Sequence, residues 1–145
     1  MLFTMREFII GSLAAKFNIG SLDTYVNRSD SFYIPRSTIA GEILFFGRDR
    51  PNNIILVSFI RFGSLKQHFC NIKLRDKLLE AGIIISIGST CNTSSKNPSH
   101  VLMSLKMPFI VRCGVIRISL GDYNTMDQCS QLCKKIIPLV EEQFC

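Results

Sequence analysis

Residues 71–91 read Asn71-Ile72-Lys73-Leu74-Arg75-Asp76-Lys77-Leu78-Leu79-Glu80-Ala81-Gly82-Ile83-Ile84-Ile85-Ser86-Ile87-Gly88-Ser89-Thr90-Cys91. Up to Ala81 the apolar Ile72, Leu74, Leu78 and Leu79 fall on one side and Lys73, Asp76, Lys77 and Glu80 mostly on the other. That is the period of an amphipathic helix. Gly82 has no Cβ, so it reaches the left-handed conformation that ends helices at the C′ position. The run Ile83 to Ile87 is short and β-branched, which predicts a strand. Gly88 lets the chain leave that strand sharply, and the small polar residues after it put Cys91 on a solvent-reachable loop.

The same punctuation continues on both sides. Downstream, Asn97-Pro98 reads as the N-cap and first residue of a short helix ending near Lys106. Val115 to Leu120 alternates as a strand closed by Gly121-Asp122, and Thr125-Met126-Asp127-Gln128 opens a last helix reaching about Glu142. Pro138 inside it is expected to kink the helix or end its regular part. Upstream, Glu42 to Phe46 is a strand stopped by Gly47, residues 49–52 form a turn, and Asn53 to Phe59 form the next strand. Residues 18–38 read as a long loop, preceded by a helix from Leu2 to Phe17 with apolar side chains on more than one face. Strands this few and short predict an α+β fold: a small three- to four-stranded, largely antiparallel sheet covered on one face by helices.

The chain has 145 residues, 47% of them hydrophobic and 19% charged. This suits a single domain over 1–145, in which an N-terminal helix and loop (1–41) precede the main unit (42–142), and excludes a disordered tail. The net charge is +6, but the bases alternate with apolar residues and never run five together, which reads as a solvated surface rather than a nucleic-acid stripe. Six cysteines occur without a signal-peptide pattern or a stretch of ~20 apolar residues. They are expected to be reduced thiols in a cytoplasmic protein that does not enter the membrane. Cys129 and Cys133 share a helix face, yet no second pair of ligands accompanies them, so no metal site is expected.

Four segments in order resemble the C-terminal small domain of cysteine desulfurases, the NifS-like class of pyridoxal-phosphate enzymes of fold type I. They are Pro51-Asn52-Asn53-Ile54-Ile55-Leu56-Val57-Ser58-Phe59, Gly82 to Cys91, Pro98-Ser99-His100-Val101-Leu102, and Val115-Ile116-Arg117-Ile118-Ser119-Leu120-Gly121. The resemblance implies that Cys91 is the nucleophile that takes sulfur from L-cysteine as a persulfide, with Lys96 and His100 near enough in sequence to favour its thiolate. It implies that Arg117 binds the substrate carboxylate by the planar, bidentate pairing that suits arginine. Gly88, Ser89 and His100 would shape the loop.

Pyridoxal phosphate is implied only through a large domain supplied by another chain, because the family's His-Lys pair does not occur in this sequence. The chain alone is therefore expected to be inactive. Its expected partners are such a large domain or a full-length desulfurase subunit, and a sulfur-acceptor protein serving iron–sulfur cluster assembly or tRNA thiolation. A surface made to pack on a larger domain is also expected to favour self-association. The alternative is a non-enzymatic sulfur carrier or interaction module, or the relic of a truncated desulfurase.

Overall fold

A computed structural model of the chain describes residues 2–49, 53–87 and 106–145. Strand β1 (Gly41–Phe46), β2 (Ile54–Arg61) and β3 (Val115–Ser119) form an antiparallel sheet in the order β1-β2-β3. The register pairs Phe46 with Leu56 and Leu56 with Arg117. The predicted strand at Ile83–Ile87 survives only as a bridge. Ser86 pairs antiparallel with Arg117 through two backbone hydrogen bonds of 3.0 and 2.7 Å, continuing the sheet beyond β3.

The helices are α1 (Leu2–Lys16), α2 (Leu22–Tyr25), α3 (Asn71–Glu80), α4 (Phe109–Arg112) and α5 (Met126–Phe144), with a 3-10 turn at Leu65–Gln67. None is long and apolar enough to cross a membrane, among the described residues. Helix α3 ends as its sequence predicts. Gly82 has φ +80°, its N–H donates to the Leu79 carbonyl, and the Ile83 N–H donates to the Leu78 carbonyl. That pair of bonds is a Schellman motif, which satisfies carbonyls the helix leaves unpaired. Leu79 departs from the predicted apolar side and is exposed. Helix α5 opens with a capping box in which the Thr125 side chain accepts from the Gln128 N–H and the Gln128 side chain accepts from the Thr125 N–H.

Both faces of the sheet are covered, not one. Ile43, Phe45, Ile55, Val57, Phe59, Ile116 and Ile118 face α1, α3 and α5. Phe59 is fully buried there, stacked on Phe69 at 5.2 Å and meeting the edge of Phe17 at 6.5 Å. Close packing also explains Gly114: a Cβ at that position would stand 1.9 Å from the Phe59 carbonyl oxygen. On the opposite face Leu44, Phe46, Ile60 and Val115 pack under Tyr25, Met107, Ile110 and Val111.

That second layer was not expected, because α2 and α4 are too short to show a helical period. Residues 18–38 consequently do more than loop. Beyond α2 they add a parallel bridge from Ile19 to Ile43 at the outer edge of β1. Pro138 does not end α5, which continues to Phe144. Its ring lies on the exposed side, where water can solvate the Lys134 carbonyl that a proline N–H cannot reach. The expected helix over 97–106 falls outside the described residues, apart from Lys106, which sits in a turn with φ +50°.

Candidate functional site

Of the residues expected to form the site, Arg117 is described. Gly88, Ser89, Cys91 and His100 lie outside the described residues. Strand alternation sends Ile116 and Ile118 into the helical face and turns Val115, Arg117 and Ser119 to the other. Val115 lies under the second layer, whereas Arg117 and Ser119 are past its end and exposed. Cross-strand neighbours share a face, so Phe46, Leu56, Arg117 and Ser86 form one row across the sheet. The guanidinium thus stands on a rigid strand, flanked by apolar Leu56 on one side and small Ser86 on the other.

Other arginines of the molecule are tied into its structure. Arg6 is buried and donates to the carbonyls of Ile54 (3.3 Å), Arg48 (3.1 Å) and Gly47 (3.1 Å). Arg61 donates to the carbonyls of Gln143 and Cys145 at the end of α5 and to that of Gln67. Arg112 pairs with Asp30 at 2.8 Å. Arg117 forms no ion pair with a described residue. Its charge is available to a planar anion such as a carboxylate.

Asn53 is a residue whose role the sequence reading missed. Its side-chain amide donates to the Leu120 carbonyl at 2.7 Å, and its own carbonyl accepts from the Leu120 N–H at 2.8 Å. It therefore pins the end of β3 three residues past the register pair that carries Arg117. The signal was its place in Pro51-Asn52-Asn53, directly before the apolar strand: a side chain that bonds the backbone where a ladder begins.

The remaining candidates are structural. Burial pushes the thiols of Cys129 and Cys133 up, although for Cys133 a hydrogen bond with Ser12 works in the opposite direction. Neutral buried thiols are poor nucleophiles and poor metal ligands, and no cluster of metal-ligating side chains occurs among the described residues. A cavity of about 260 Å³ lies between Ile83–Ile85 and α5, lined by Ile118, Leu120 and Leu132. It does not include Arg117.

A pyridoxal phosphate would need a lysine amine inside an enclosed site. Lys16, Lys66, Lys73, Lys77, Lys106, Lys134 and Lys135 are all exposed. The described residues do not fit that cofactor.

No family model matches the chain. A cysteine desulfurase of Cereibacter sphaeroides is 29% identical over 109 residues, which make up 75% of this chain and 25% of the relative. The cysteine desulfurase IscS of Methanosarcina thermophila is 38% identical over 61 residues (42% of this chain, 15% of the relative). Cysteine desulfurase NifS of Azotobacter vinelandii is 32% identical over 65 residues (45% and 16%). A solved NifS-like protein superposes with a TM-score of 0.60 at 20% identity, covering 97% of this chain and 27% of that one. The chain is thus similar in sequence to cysteine desulfurases over part of its length and shares the fold of part of a NifS-like protein. It spans a quarter or less of the three desulfurases it resembles.

Proposed function

We propose that this chain is the small-domain part of a cysteine desulfurase system, in which Cys91 carries sulfur from L-cysteine as a persulfide and Arg117 holds the substrate carboxylate. The observation that carries the reading is the bridge between Ser86 and Arg117. It ties the stretch that leads in sequence to Cys91, five residues on, to the strand bearing an exposed guanidinium that no described residue pairs. A sulfur-accepting thiol and a carboxylate-binding cation are the two functions this region has to supply. The backbone N–H and C=O of Arg117 both bond to Ser86 and keep its Cα fixed, so little entropy is lost when the side chain binds.

Pyridoxal phosphate supplies the electron sink for cleaving a carbon–sulfur bond. The described residues do not hold it, so a desulfurase large domain or a full-length desulfurase subunit provides it, and a sulfur-acceptor protein takes the product. The lack of any enclosed lysine among the described residues also favours a second reading, in which the domain only receives and passes on sulfur.

One experiment separates these readings. The purified chain, reduced beforehand and freed of reductant, is mixed with L-cysteine, with and without a pyridoxal-phosphate desulfurase, and the persulfide on each cysteine is then mapped by mass spectrometry after alkylation. A persulfide confined to Cys91 and formed only with the second enzyme supports sulfur receipt, and its loss in Arg117→Ala supports carboxylate binding by this chain. Persulfide formation insensitive to Arg117→Ala selects the carrier reading. Equal labelling of Cys70 or Cys145 overturns both.

A further inference from the structure

We infer that the outer face of α1 and α5 is an interface between two copies of this chain, packed antiparallel about a twofold axis that passes between Ile137 and Pro138. A groove of about 550 Å³ runs between the two helices, with Ser12 and Ala15 in its floor and Phe8 at its side. Along its rim α5 presents Lys134, Ile137, Pro138 and Glu141, the i, i+3, i+4, i+7 spacing of a single helix stripe.

That stripe is its own complement. In a twofold antiparallel helix contact, residue i meets residue j and residue j meets residue i. With the axis between Ile137 and Pro138, Ile137 of each copy meets Pro138 of the other, and Lys134 meets Glu141 twice. The charges that flank the apolar centre therefore pair by symmetry. Small residues in the floor leave room for the second helix, and the missing N–H at Pro138 costs nothing in a contact made by side chains.

The occupant that this pattern selects is a second copy, since a parallel helix or a shifted register would set Lys134 against Lys134 or leave it unpaired. Both charged side chains are exposed in the single chain, so replacing them leaves the fold in place. This inference stands apart from the proposed sulfur chemistry, because the stripe lies on the helical layer and Arg117 on the opposite face of the sheet.

The test is sedimentation equilibrium on the full chain, whose single-copy mass is 16.4 kDa. The expected result is twice that mass, with Lys134→Glu and Glu141→Lys each weakening association about tenfold or more through like-charge contacts. The double variant Lys134→Glu/Glu141→Lys restores it, and mixing the two single variants gives a heterodimer. Far-UV circular dichroism identical to the wild type shows that association, not folding, has changed. A single-copy mass at every attainable concentration overturns the inference and leaves the groove to a different protein. So do single variants that associate like the wild type, or a double variant that stays dissociated.

Discussion

Arg6 and Arg117 are the same side chain put to opposite uses, one on a helix packed over the sheet and the other on a strand within it. Arg6 is buried against the hairpin between β1 and β2, donating to three backbone carbonyls with Glu7 as its nearest carboxylate at 3.4 Å. Its guanidinium supplies donors to backbone carbonyls at the end of β1 and the start of β2. Arg117 has its backbone held by Ser86 and its side chain in solvent. The difference teaches that a cation serves structure where the chain surrounds it with acceptors, and stays exposed where the described residues fix only its backbone.

The comparison can be broken or sharpened by substitution. The largest effect is expected in the layer both arginines depend on. Phe59→Ala, at a fully buried ring between Phe17 and Phe69, should lower unfolding stability by about 3–5 kcal/mol in urea titration. Arg6→Ala should cost about 1–3 kcal/mol, because it strands carbonyls its fork had satisfied, and Arg6→Lys should recover only part of that loss.

Tyr25 contributes an intermediate, pH-dependent effect. Its hydroxyl is buried and donates to Glu42, so desolvation first, then that hydrogen bond and the carboxylate charge, push its pKa far above the ordinary tyrosine value. The neutral form is the one that the folded state favours. Its contribution is complete below the unfolded pKa of about 10 and is lost as pH rises beyond it. Unfolding midpoints measured from pH 8.5 to 11 (roughly one unit or more either side of that value) should fall more steeply for the wild type than for Tyr25→Phe.

The smallest effect on stability is expected at Arg117→Ala, within about 0.5 kcal/mol, as for an exposed side chain with no ion pair among the described residues. A loss as large as that of Arg6→Ala would erase the contrast between the two arginines.

What the sequence disclosed about these regions follows from the range of the forces involved. Helix α3 and its stop at Gly82, the capping box at Thr125 and the strands around Ile43, Val57 and Ile116 were legible because each is set by neighbours within a few residues. The strand that carries Arg117 was legible from its alternation, while the role proposed for Arg117 rests on the resemblance of the residues around it. The burial of Arg6 was not legible. An arginine on a largely apolar helix ordinarily faces water, and the carbonyls that satisfy it lie more than forty residues away in sequence, at Gly47, Arg48 and Ile54. The tie from Asn53 to Leu120 was hidden for the same reason.

The sequence by itself determined the long helices α1, α3 and α5, the three strands and the α+β class, since propensity and periodicity are local properties. Only the tertiary structure decided that both faces of the sheet are covered, that α5 runs through Pro138, and that one arginine is enclosed while the other is exposed. Those outcomes depend on which segments meet across the sheet. That meeting is governed by the burial of apolar surface and the pairing of distant backbone groups, neither of which any single stretch of the chain encodes.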